Sequence, residues 1–160
     1  MTSPNERLQA KPVSPSSASP KRGISGIGRV LVVVYGILAL GATGRSFVQI
    51  AERFDEAPVA YTLSALAAVV YIVATVALIR SGSGWYRIAW ITIAFEFLGV
   101  LTIGTLSIVD PELFPAATVW SYYGAGYLFI PLVLPPLGMW WLARHRPNRG
   151  VAAGATGDAR

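Results

Sequence analysis

Residues 59–79 read VAYTLSALAAVVYIVATVALI. The run carries no charge, no glycine and no proline. It is as long as a helix needs to cross a hydrocarbon core, roughly 20 residues. Lipid offers no hydrogen bonds to the main chain, so a segment of this kind closes its own bonds as a helix. Three further apolar runs flank it. One lies upstream over 30–50 and opens VLVVVYGILALGATG; two lie downstream over 88–109 and 118–142. The four runs predict an all-α fold, a four-helix transmembrane bundle.

Composition agrees. The chain has 160 residues, enough for one compact domain. It is 54% hydrophobic, with 13% charged residues and a mean hydropathy of +0.54. Soluble domains carry about a quarter charged residues. There are no cysteines, which excludes disulfides, thiolate metal sites and cysteine nucleophiles. The single histidine, His145, sits in a basic stretch without a nearby acidic residue and makes a poor metal ligand. The sequence gives no reason to expect a cofactor. The net charge of +5 does not point to nucleic acid, because the basic residues stand in short blocks beside the apolar runs.

Those blocks predict orientation. Arg7, Lys11, Lys21, Arg22, Arg29, Arg80, Arg87, Arg144, Arg146, Arg149 and Arg160 fall on one side, eleven of the thirteen basic residues. Glu52, Asp55, Glu56, Asp110 and Glu112 fall on the other. The positive-inside rule then places both termini in the cytoplasm. Trp85, Tyr86, Trp140 and Trp141 would mark the inner interface. Trp120, Tyr122 and Tyr123 would mark the outer one. The predicted organisation is a basic Ser/Pro-rich cytoplasmic tail over 1–28, a transmembrane domain over 29–143 and a basic flexible tail over 144–160. Ser14-Pro15 and Ser19-Pro20 are candidate phosphorylation sites beside Lys21 and Arg22, where added negative charge would weaken attraction to anionic lipid. A plain flexible tail accounts for the same residues. The first span is expected to be an uncleaved anchor, since GATGRSF makes a poor cleavage site.

Two ionisable residues lie at depth, Glu96 and Arg45, and such residues need partners. At 1.5 Å per residue, Glu96 lies roughly 14 Å from the inner edge and Arg45 roughly 24 Å. A direct pair between them is awkward. Tyr71 shares the Glu96 level, and Tyr127, roughly 26 Å deep, shares that of Arg45. Two polar layers follow: Glu96 with Tyr71, and Arg45 with Tyr127. Ala89, Thr92, Glu96, Gly99, Ile103 and Ser107 form a small or polar stripe on the third helix. Ala60, Ser64, Ala68, Tyr71 and Thr75 form another on the second. Both should face protein, while Phe95, Leu98 and Leu106 face lipid.

The fourth run, YLFIPLVLPPLGMWW, contains Pro131, Pro135 and Pro136. A proline inside a helix frees the carbonyl four residues earlier, here those of Tyr127, Pro131 and Leu132. Arg45 is then a candidate donor to the Tyr127 carbonyl. The candidate intramembrane site is thus Glu96, Tyr71, Arg45, Tyr127 and Pro131. It reads in two ways: as buried glue in a kinked packing bundle, or as a proton or cation path beside a broken helix. The chain offers no nucleophile–base pair, metal cluster or phosphate loop, so it is not expected to be an enzyme. GISGIG at 23–28 follows no strand and is not a dinucleotide loop.

The stretch FEFLGVLTIGTLSIVDPELFPAATVWSYYGAGYLFIPLVLPPLGMWWL, residues 95–142, resembles small uncharacterised integral membrane proteins of actinobacteria. The resemblance extends from the first span to the last and omits both tails. It implies a bacterial inner-membrane setting and carries no known activity or site. Taken together, the expected function is a non-enzymatic bundle that packs with itself or a membrane partner. The alternative is a small proton- or cation-coupled transporter or channel using Glu96. The expected partners are the lipid bilayer, a second copy or another membrane protein, and no nucleic acid.

Overall fold

A computed structural model describes residues 26–147. Both Ser-Pro sites and most of the two predicted tails lie outside the described residues. The described chain is all-helical. Four α-helices follow in order: α1 (Gly26–Arg53), α2 (Pro58–Ile79), α3 (Ser83–Val109) and α4 (Ile130–Arg144). Short 3-10 turns cover Phe54–Glu56, Pro111–Leu113 and Ser121–Tyr127.

The first three helices have 28, 22 and 27 residues. At 1.5 Å per residue they are roughly 42, 33 and 40 Å long. Each can cross a hydrocarbon core of about 30 Å. α1 and α3 extend beyond the predicted runs because the interfacial residues Arg29, Trp85, Tyr86 and Arg87 continue the helix. Prolines and glycines set the ends. Ala57, just before Pro58, is non-helical at φ −155° and ψ 66°, as proline disfavours helical geometry in the residue before it, and Pro58 opens α2 where no helical N–H donor is needed. Gly82 turns the chain from α2 into α3 at φ 121°, a conformation L side chains avoid.

α1 lies along α2, α2 packs on α3 and α3 on α4; α1 and α4 touch only lightly. Buried alanines on α2 (Ala60, Ala67, Ala68, Ala74 and Ala77) let its neighbours approach closely. The predicted α3 stripe is inside: Ala89, Thr92, Glu96 and Ser107 are buried, and Gly99 and Ile103 half-buried. Phe95, Leu98 and Leu106 are exposed, as the periodicity requires. Large apolar side chains cover the outside, including Leu40 at 78%, Phe47 at 74% and Ile91 at 69% exposure. In water such a surface would be an aggregation liability. Against lipid it is the expected one, and the chain is a multi-pass membrane protein.

The fourth predicted span, 118–142, is a bent pair and not one continuous helix. Ser121–Tyr127 and α4 meet at 97° and make the fourth crossing if counted as one span. The break lies at Leu128 and Phe129, with φ of 56° and 59°. It precedes the prolines. Pro131 sits in the first turn of α4, where its missing N–H costs nothing. Only Pro135 and Pro136 are inside the helix. Tyr122, Tyr123 and Gly124 are also left-handed, at φ of 51°, 60° and 78°. Left-handed L residues cost about 1–2 kcal/mol each, so other contacts must hold this segment. Tyr122 N–H donates to Ser107 Oγ at 2.8 Å, and Phe129 N–H to the Gly124 carbonyl at 3.1 Å. Tyr123 lies against Gly104, and Pro131 against Gly124.

Candidate functional site

α3 carries Glu96 into the centre of the bundle, where it is fully buried. Its partner is Tyr35 of α1, whose hydroxyl donates to Glu96 Oε2 at 2.7 Å. Tyr35 is also fully buried. Sequence reasoning missed this residue. The depth ruler could have found it: Tyr35 follows Arg29 by six residues, roughly 9 Å, and a tyrosine side chain bridges the remaining step to the Glu96 level. It is the sole tyrosine of the first span.

Tyr71 stands beside this pair without bonding to Glu96. Its ring lies 6.3 Å from that of Tyr35, inclined by 51°. Its hydroxyl accepts from Trp120 Nε1 at 3.1 Å. An indole N–H can only donate, and a buried one requires an acceptor. Trp120 was expected at the outer interface, yet it is 1% exposed. The bend carries it into the bundle, onto the face of α3 that Gly99 leaves bare. Trp120 therefore takes the tyrosine that sequence spacing had assigned to Glu96.

The outer polar layer also differs. Arg45 is half-buried, and its Nη2 donates to the Ala117 carbonyl at 2.9 Å. It takes neither Glu96 nor the Tyr127 carbonyl. The predicted acceptor required a helix running through residue 127. Because α4 begins at Ile130, Pro131 frees no helical carbonyl there, and the chain leading into the bend supplies the acceptor instead. Tyr127 is half-buried against the core. Pro131 is fully buried and packs at Gly124. The five predicted site residues thus fall into separate places. Glu96 and Tyr71 share the central layer, Arg45 ties α1 to the loop, and Tyr127 and Pro131 shape the bend.

The central layer draws on every part of the fold. α1 supplies Tyr35, α2 Tyr71, α3 Glu96 and the bent segment Trp120. Gly138 brings α4 close to the Tyr35 hydroxyl. One oxygen is unmatched: Glu96 Oε1 is buried without a hydrogen-bond partner among the described residues. Nearer the acidic end of the bundle, Ser46 Oγ and Gln49 Oε1 share that condition. A buried polar atom left unpaired costs about 1–3 kcal/mol. Glu96 borders neither the cavity at the basic end, near Arg80 and Tyr86, nor the apolar groove between α1 and α2 at Gly36 and Thr75. Chemically, the arrangement can hold a carboxyl between helices out of contact with solvent. Among the described residues no group of three or more His, Cys, Asp or Glu could hold a metal ion.

Compared with protein-family models, with curated proteins and with solved structures, the chain has no match.

Proposed function

We propose that the chain is a non-enzymatic membrane bundle that works by association within the bilayer, with itself or with another membrane protein. One observation carries this reading. The intramembrane carboxyl is fully buried and spent on a bond between α1 and α3. A carboxyl that serves transport must meet water from at least one side during its cycle. Here the polar centre acts as interhelical glue, a known use of such residues. The bacterial cytoplasmic membrane implied by the resemblance is part of this proposal.

Two measurements on the purified full chain test it. In liposomes containing a pH-sensitive dye, proton leak equals that of protein-free vesicles. Photobleaching steps, counted at a series of protein-to-lipid ratios, show association above random co-occupancy or retention of a co-purifying membrane partner. A proton or cation flux that Glu96→Gln abolishes would sink the reading. It would establish the alternative, a small transporter, which has specific support of its own in the unmatched Glu96 Oε1 and the broken fourth span.

A further inference from the structure

At the basic end of the bundle, α2 stops, α3 starts and α4 ends around one half-open cavity of about 220 Å³. Its walls include Arg80, Ser81, Tyr86, Trp141 and His145. The charge here is one-sided. The described residues at this end include Arg29, Arg80, Arg87, Arg144 and Arg146, and no acidic residue. The described carboxylates lie at the opposite end, apart from buried Glu96.

The basic side chains are held in place. Arg80 lies over the Trp85 ring at 5.3 Å, and Arg144 over Trp140 at 4.3 Å. His145 stacks on Trp141 with ring centres 4.6 Å apart. Its Nδ1 lies 2.9 Å from the Trp141 carbonyl, which can only accept, so Nδ1 donates. Several of the carbonyls nearby are already engaged. Tyr86 Oη donates to the Leu142 carbonyl at 3.2 Å, His145 N–H to those of Trp141 and Leu142, and Arg80 N–H to that of Val76. The opening of α3 adds a favourable field. It has no acidic residue in its first turn and no side-chain cap at Gly82. Its first helical bond is Tyr86 N–H to the Gly82 carbonyl.

We propose that this cavity seats the phosphate of an anionic phospholipid headgroup. The phosphate meets Arg80 and the Ser81 hydroxyl, with His145 at the far wall. Basic pockets between membrane helices are recognised by such headgroups. A lipid fits better than free phosphate. The cavity lies at the level of Trp85, Trp140 and Trp141, and the exposed apolar flank of α2 beside it (Ile72, Val76 and Ile79) offers acyl chains a surface.

The test is native mass spectrometry of the full chain released from micelles doped with phosphatidylglycerol or phosphatidylcholine. Wild type retains phosphatidylglycerol at least tenfold better than phosphatidylcholine. An arginine near an anionic surface is worth about fivefold without any site. Arg80→Gln therefore lowers phosphatidylglycerol retention by more than about tenfold, and Arg29→Gln, outside the cavity, by no more than about fivefold. Arg80 is exposed, and an unchanged helical circular dichroism spectrum and unfolding midpoint confirm that its replacement leaves the fold intact. Equal losses in the two variants, or no preference between the lipids, overturn the proposal. So does displacement of the lipid by millimolar inorganic phosphate, which would assign the cavity to the free ion.

Discussion

The bond between Tyr35 and Glu96 can be weighed by a double-mutant cycle. Tyr35→Phe removes the only hydrogen bond of the carboxyl among the described residues and leaves both its oxygens unpaired there. Interhelical bonds in bilayers contribute about 0.6 kcal/mol on average and about 1.7 at most. An orphaned buried group costs about 1–3 kcal/mol. Tyr35→Phe should therefore destabilise by about 1–3 kcal/mol, roughly a 5- to 150-fold change in the unfolding constant. Glu96→Leu strands the Tyr35 hydroxyl but also removes the oxygen that has no partner now. These effects oppose each other, and the net change should lie within about 1 kcal/mol of zero. The double variant leaves neither group stranded and should be more stable than Tyr35→Phe alone. The assay is reversible unfolding in mixed micelles, followed by far-ultraviolet circular dichroism with unfolding free energies compared across all four proteins. Additive effects would refute the reasoning, as would a Tyr35→Phe variant indistinguishable from wild type. Either result means that the carboxyl draws its support from elsewhere.

Three further outcomes follow from the bend and its packing. In Gly104→Ala the new Cβ would stand 2.6 Å from Tyr123 Cδ1 and 2.8 Å from its backbone nitrogen, so the chain must shift. Overpacking of this kind costs about 1–3 kcal/mol in the same unfolding assay. Leu128→Gly should do the opposite. The leucine is 84% exposed and sits at φ 56°. Relief of about 1–2 kcal/mol exceeds the extra unfolded-state entropy of glycine, leaving a gain of about 0.5–1 kcal/mol; a lower unfolding midpoint would contradict it. Tyr71→Phe strands the Trp120 indole and should cost about 1–2 kcal/mol. Its mark is faster hydrogen exchange at residues 118–124, measured by mass spectrometry on the protein in nanodiscs.

How much was legible in the sequence differs from helix to helix. α2 was readable almost to the residue, because a charge-free run ending at Arg80 and opening at Pro58 leaves little choice. The inward stripe of α3 followed from periodicity alone. The fourth span misled. The break falls at Leu128 and Phe129, L residues that bear no sequence mark of left-handed geometry, while the visible prolines lie just beyond it. That displacement moved two partners at once. It carried Trp120 inward to claim Tyr71, and it put the Ala117 carbonyl where Arg45 could reach it. A depth ruler assumes straight helices, so it served Glu96 and Tyr71 as levels and failed for Tyr127. For Tyr35 the same ruler leads to the hydroxyl that meets Glu96.

The short α4 also acts on the surrounding lipid. Its 15 residues span roughly 22 Å, below the usual hydrocarbon thickness of about 30 Å. The chain then turns nearly sideways, presenting Leu128 and Phe129 outward. Acyl chains beside α4 meet a wall too low for them, while those beside α1 meet one of full height. Such mismatch is relieved by local thinning of the leaflet at a fraction of a kcal/mol per ångström. This geometry predicts a bilayer dimpled on one flank only, where a neighbour with an equally short helix would settle without deforming the membrane further.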